Sequence, residues 1–163
     1  MAKPGRHGNA DQILSSSRTF FVTTTTSMRR ALLQSERNAM LFVDVLRSYA
    51  TAGKFKVHDF VVMPDHVHLL ITVDSSMTIE KAMQFIKGGF SYRLKKEFGY
   101  AAEVWQRGFS EIRIKDRESY QRHRDYIAQN PVSAGLVDSP EKYPFSFTSL
   151  ARARAQGLKP DSS

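Results

Sequence analysis

The sequence predicts an α+β fold, a ferredoxin-like β-α-β-β-α-β order with a four-stranded antiparallel sheet, followed by an additional C-terminal helix. Three observations carry this. "HVHLLITV", His66–Val73, alternates in the way a strand does, with Val67, Leu69, Ile71 and Val73 on one face and His66, His68, Leu70 and Thr72 on the other. Two longer stretches, 35–53 and 78–98, repeat apolar residues at helical spacing. Between the second and third strands, Pro64 and Asp65 supply a tight turn, so those strands form a hairpin.

Taken in order, residues 19–26, "TFFVTTTT", are β-branched and aromatic and read as the first strand. In 35–53, Ser35 caps a helix and Glu36 suits the positive end of its dipole. Ala39, Phe42, Val43, Leu46 and Ala50 form its apolar stripe, and Gly53 ends it. Residues 54–63 read as the second strand and 66–73 as the third. Thr78 caps the next helix, which runs to about Phe98 on the stripe Ile79, Ala82, Met83, Ile86, Phe90 and Leu94. Gly88 and Gly89 lie inside it at a cost of about 1 kcal/mol each against alanine. That cost fits the close approach of a neighbouring helix or of a phosphate backbone, and equally a kink. Residues 103–115 read as a fourth strand broken near Gly108. Residues 116–131 read as the additional helix, expected to end near Asn130 because Pro131 disfavours αR at its predecessor. Residues 133–150 read as a loop-rich closing segment. The expected organisation is a flexible tail over 1–14, one domain over 15–150 and a basic, disordered tail over 151–163. The valine face of the third strand should meet the two covering helices, leaving the histidine face to the last helix.

The chain of 163 residues carries 24 Lys and Arg against 16 Asp and Glu, a net charge of +8 with a pI near 9.9. That surplus is a footprint for polyanions, nucleic acid first. An anionic lipid surface, or a basic surface with no partner, would show the same charge, but no segment reads as a basic amphipathic membrane helix. There is no cysteine, which excludes a disulfide framework, a cysteine nucleophile and cysteine-ligated zinc, and fits a cytoplasmic protein. No apolar run approaches the ~18 residues that a membrane span needs, and the first residues have no signal-peptide core.

His66 and His68 project from one strand face roughly 7 Å apart, a spacing that lets two neutral imidazoles share a metal ion. Two half-buried structural histidines would give the same pattern. On the last helix Tyr126 and Asn130 are four apart and share a face, with Arg122 and His123 one turn earlier. Tyr126 and an amide, Asn130 or its neighbour Gln129, could be presented together to the histidine face. An ordinary amphipathic helix with Tyr126 and Ile127 in the core fits as well. Asp65, by alternation, should point away from the pair.

"FVVMPDHVHLLITV", "VWQRGFSE" and "YIAQNPVSAGLV" together resemble the IS200-like tyrosine transposases, and most of all the branch associated with repetitive extragenic palindromes (REP). The resemblance covers about residues 15–150, with three separated motifs in order. That family belongs to the HUH endonucleases, named for two histidines flanking a hydrophobic residue. The resemblance implies a ferredoxin-like fold and a metal-dependent single-stranded DNA endonuclease and strand transferase that works beside palindromic hairpins. It implies that His66 and His68 bind a divalent metal, Mg²⁺ or Mn²⁺, with Asn130 as third ligand, and that Tyr126 is the nucleophile. Attack would leave a 5′-phosphotyrosine and a free 3′-OH. Phosphate contacts are expected from Lys81, Lys87, Arg93, Lys95, Arg113 and Arg122. The chain departs from the branch at Ser110-Glu111, where an aspartate often follows the aromatic residue. The partner implied is single-stranded DNA with hairpins, bound by a monomer or a homodimer. Two other readings fit the residues: a catalytically silent hairpin-binding protein, and a water-using metal phosphodiesterase in which Tyr126 is structural.

Overall fold

The computed structural model describes residues 17–157. Its strands are β1 (Arg18–Thr25), β2 (Lys56–Val62), β3 (His66–Val73) and β4 (Ser110–Ile114), and its helices α1 (Glu36–Thr51), α2 (Ile79–Phe98), α3 (Arg117–Ser133) and α4 (Phe147–Ala155). The sheet order is β2-β3-β1-β4, and every pair is antiparallel. The expected element order is therefore present. Ser35 and Thr78 cap α1 and α2 by accepting from the backbone N–H groups of Asn38 and Lys81.

The two faces of the sheet have different partners. Val67, Leu69, Ile71 and Val73 of β3 meet the stripes of α1 and α2 in one core, with Trp105 at its edge. On the opposite face Phe21, Val61, Leu70 and Ile114 pack with Ile127 of α3 and with Tyr143. Gly89 explains half of the glycine pair: a Cβ there would lie 2.9 Å from Tyr49 Cε2 and 3.1 Å from Val45 Cγ1, so α2 lies so close to α1 that a side chain would have to displace the Tyr49 ring. Gly88 has open space around its missing Cβ.

Two expectations are corrected. α3 does not stop near Asn130 but runs through Pro131 to Ser133. Proline biases its predecessor without forbidding αR. Pro131 lies in the last turn, where one N–H is lost and the ring is buried. The final carbonyls still find donors, with Ala134 N at 3.0 Å from Asn130 O and Leu136 N at 2.9 Å from Pro131 O. The second correction concerns the C-terminal tail. Residues 151–155 lie in α4, capped by Ser146 and anchored by buried Leu150, where disorder was expected. Its sequence "ARARA" consists of strong helix formers, a signal that its charge masked. The tail expected over 1–14 and the residues after 157 lie outside the described residues.

Before α4, the closing segment seals the edge of β2: Val62 N donates to Phe145 O at 2.9 Å, and the Tyr143 hydroxyl donates to Val62 O at 2.5 Å. Among the described residues, no helix is long and apolar enough to cross a membrane.

Candidate active site

His66 opens β3 and His68 follows on the same face, paired across the sheet with Thr25 and Thr23 of β1. The rings stand 4.7 Å apart between centroids, nearly perpendicular. Each has one nitrogen committed to a neighbour. Asp65 Oδ1 lies 2.7 Å from His66 Nδ1, and Thr23 Oγ1 lies 2.8 Å from His68 Nδ1. An ionised carboxylate only accepts, so His66 Nδ1 carries the proton and its Nε2 presents a bare lone pair. With Nδ1–H donated to Thr23, His68 Nε2 is bare too.

Those two Nε2 atoms are the chemical centre of the site. His68 is 5% exposed, and its Nε2 is buried without a hydrogen-bond partner in the protein. Burial, and then the neighbouring His66, hold its pKa down to about 3, so the ring stays neutral. A buried polar nitrogen without a partner is costly unless something binds it. His66 Nε2 faces Asn130 Oδ1 at 3.3 Å, across from strand to helix. Two imidazole nitrogens from one strand face and an amide oxygen across from one of them are donor types that suit a divalent cation. Among the described residues no group of three His, Cys, Asp or Glu could hold a metal.

The continuation of α3 through Pro131 keeps Tyr126 and Asn130 on one helical face. The Tyr126 ring stands 5.3 Å from the His68 ring, edge to face, and the residue is 50% exposed. It is therefore not a core tyrosine; Ile127 beside it is. Phe21 forms the floor, with its ring 5.2 Å from His68, 4.7 Å from His123 and 5.9 Å from Tyr126. Arg122 is exposed, one turn before Tyr126. Tyr120 points elsewhere, its ring against His58. Besides the packing of Ile127, an ion pair ties α3 to the sheet: the buried carboxylate of Asp59 on β2 accepts from Arg124 Nε at 3.2 Å.

The expectation that Asp65 points away from the pair is corrected. Asp65 belongs to the turn, so strand alternation does not govern it, and its second oxygen lies 3.3 Å from Arg29 Nε. Thr23 was also missed, because only the β1–β3 register reveals it.

The six basic residues expected at DNA are scattered. Lys81, Lys95 and Arg122 are exposed, Lys81 lying 5.7 Å from the Phe85 ring. Lys87 Nζ is turned into the loop before β4, donating to Gln106 O at 3.0 Å and Gly108 O at 2.6 Å. Arg93 is paired with Asp44 and Glu97, both at 2.6 Å. Arg113 pairs across the sheet with Phe20, which puts it on the face opposite the histidines.

Comparison with known proteins identifies the family and the fold. The profile of the family described as "Transposase IS200 like" matches residues 15–130. A REP-associated tyrosine transposase of Escherichia coli K12 is 30% identical over 148 residues, spanning 87% of this chain and 82% of that protein. A solved structure of a REP-associated tyrosine transposase bound to a REP hairpin is similar with a TM-score of 0.70 at 26% identity, covering 90% of this chain and 85% of that one. A solved structure from Deinococcus radiodurans R1 is alike in fold alone, with a TM-score of 0.54 at 21% identity over 78% of this chain and 95% of that one.

Proposed function

Because the chain belongs to the IS200-like transposase family, in its REP-associated tyrosine transposase branch, we propose that it nicks and rejoins single-stranded DNA beside short palindromic hairpins through a 5′-phosphotyrosine. The observation that carries the reading is His66 Nε2 facing Asn130 Oδ1 at 3.3 Å, with the buried, unpartnered Nε2 of His68 on the same strand face and a half-exposed tyrosine beside it.

His66, His68 and Asn130 would hold a divalent cation, Mg²⁺ or Mn²⁺, with Asp65 fixing the His66 tautomer and Thr23 bonded to Nδ1 of His68. When bound, such a cation would neutralise the charge of the scissile phosphate and polarise its phosphorus. Tyr126 acts as the nucleophile. A bond forms between its phenolic oxygen and phosphorus, and the bond from phosphorus to the 3′ oxygen of the preceding nucleotide breaks. The phenol proton leaves, and the departing 3′ oxygen takes one up to become a hydroxyl. Free tyrosine titrates near pH ~10, so a nearby positive charge must favour the phenolate, and Arg122 on the same helical face suits that task. The phosphotyrosine keeps a phosphoester bond, so a 3′-OH can attack it in reverse and rejoin DNA with no other energy source.

The protein would act on this DNA as a monomer or a homodimer. The reading locates the protein with the DNA, in the cytoplasm. The test is nicking of a labelled oligonucleotide that carries a hairpin, with Mn²⁺ present. His66→Ala or His68→Ala should lose nicking while circular dichroism still reports a folded protein. Undiminished nicking in either variant, or in excess EDTA, removes the metal site from the account.

A further inference from the structure

At the far end of β2 from the histidines lies a cavity of about 610 Å³, walled by α1, the start of β2 and α4. Arg47 and Lys56 line it from one side and Arg154 from α4 on the other, with Phe55, Phe60 and Phe147 as apolar wall. No acidic residue lines it. Arg47 is half-buried, and its guanidinium is held below its ordinary value, first by burial and then by the charge of Arg154. Asp44 pulls the other way, but its carboxylate is already bound to Arg93 at 2.6 Å. Two guanidiniums thus border one space that no acidic residue lines. Folding has brought like charges together here, and an anion between them would relieve the repulsion.

The wall indicates what kind of anion. Phe147 begins α4 with its ring edge-on to Phe60 at 5.8 Å and remains 37% exposed at the rim. Cations beside an exposed aromatic ring are the pairing that single-stranded nucleic acid uses, charge on the backbone and a ring for the base. We propose that this cavity is a second DNA-contact site, which grips one nucleotide by its phosphate between Arg47 and Arg154 and by its base against Phe147. The inference rests on the reading that the protein acts on DNA, and it extends that reading to a surface remote from the chemistry. The cavity lies on the face of the sheet that α1 covers, opposite the histidines, and runs along β2 from Lys56 to Phe60, next to Val61 in the register of His68. One DNA molecule reaching both sites would be held with its scissile phosphate at a fixed distance from the anchored nucleotide.

The experiment measures binding of a fluorescent hairpin oligonucleotide with a single-stranded tail by anisotropy, in metal-free buffer across a range of salt. Arg47→Gln and Arg154→Gln should each weaken binding several-fold. Each should flatten the slope of log affinity against log salt by about 0.7 to 0.9, one phosphate contact's worth. Arg154→Glu places a carboxylate opposite Arg47. It should leave Tm equal or higher and yet weaken DNA binding more than Arg154→Gln, a pattern that a purely structural role does not give. Unchanged affinity and slope in the double glutamine variant would overturn the proposal. So would a rise in Tm with adenosine monophosphate, lost in that variant, while its hairpin affinity stays at the wild-type level: the occupant would then be a free nucleotide. Since binding is read without metal, a protein that grips the hairpin but never cuts it sinks the cleavage reading and leaves this one standing.

Discussion

The Asp65 carboxylate lies 2.7 Å from His66 Nδ1, and through that bond the turn between β2 and β3 decides which nitrogen of His66 faces Asn130. The same carboxylate also meets Arg29 at 3.3 Å, so it is itself held in place. A histidine oriented in this way is a better ligand than a free one, because neither the tautomer nor the ring angle has to be selected on binding.

Asp65→Ala should therefore lower the affinity for Mn²⁺ by about 10- to 100-fold with the fold retained. Titration followed by the EPR signal of free Mn²⁺ measures this. Equal affinity in the variant and the parent chain would show that the contact does not position the ligand.

Gly88 and Gly89 should respond in opposite ways to the same substitution. Gly88 has open space at its Cβ position, so Gly88→Ala should stabilise α2 by up to ~1 kcal/mol through helix propensity. At Gly89 the new methyl would meet Tyr49 at 2.9 Å and Val45 at 3.1 Å, so Gly89→Ala should fall below the parent chain. Urea unfolding of the two variants gives the order. A stabilised Gly89→Ala would mean that the α1–α2 approach is looser than described.

Arg124→Met should destabilise by about 1–3 kcal/mol, because it leaves a buried carboxylate with the Phe60 N–H but without its side-chain donor. Burial already holds the Asp59 pKa above its ordinary value, and the Arg124 hydrogen bond and charge oppose that shift. Without Arg124 the pKa climbs further. A carboxyl group whose folded-state pKa is raised favours the folded state below the ordinary carboxylate range, and this contribution is lost as pH rises through the raised value. The destabilisation of the variant should accordingly shrink as the solution is acidified and be largest at neutral pH. A penalty independent of pH would place its origin in lost packing.

The basic residues should divide into two groups. Lys81→Gln, Lys95→Gln and Arg122→Gln remove exposed charges, and each that meets a phosphate should flatten the salt slope of hairpin binding by about 0.7 to 0.9. Lys87 is bound to two carbonyls and Arg93 to two carboxylates, so their glutamine variants should lower Tm and leave the slope unchanged. A slope change on losing Lys87 would mean that the loop before β4 releases it when DNA arrives.

Where local rules govern, the fold was legible. His66–Val73 has the bounds that alternation assigned, and Ser35 and Thr78 cap the helices they were expected to cap. Departures arise where another force outweighs a local preference. Pro131 stays helical because its ring is buried and the loss of one terminal hydrogen bond is tolerable. α4 forms because Phe147 and Leu150 have a hydrophobic surface to meet, which no window of sequence displays. At the site, the strand pattern brought His66 and His68 together and helical spacing paired Tyr126 with Asn130. Asp65 and Thr23 depend on a turn and on sheet register, and the basic residues depend on which neighbours capture them.

Mass spectrometry of the trapped protein–DNA adduct tests the central claim most directly. The account predicts that a hairpin oligonucleotide incubated with the protein and Mg²⁺ leaves a 5′-phosphoryl nucleotide on the peptide containing Tyr126. The adduct should be absent in EDTA and absent in Tyr126→Phe, while Tyr120→Phe still forms it, since that ring packs on His58 at 5.5 Å, away from the metal donors. An adduct on Tyr120 or on a serine, an adduct in Tyr126→Phe, or cutting with no adduct at all would contradict it.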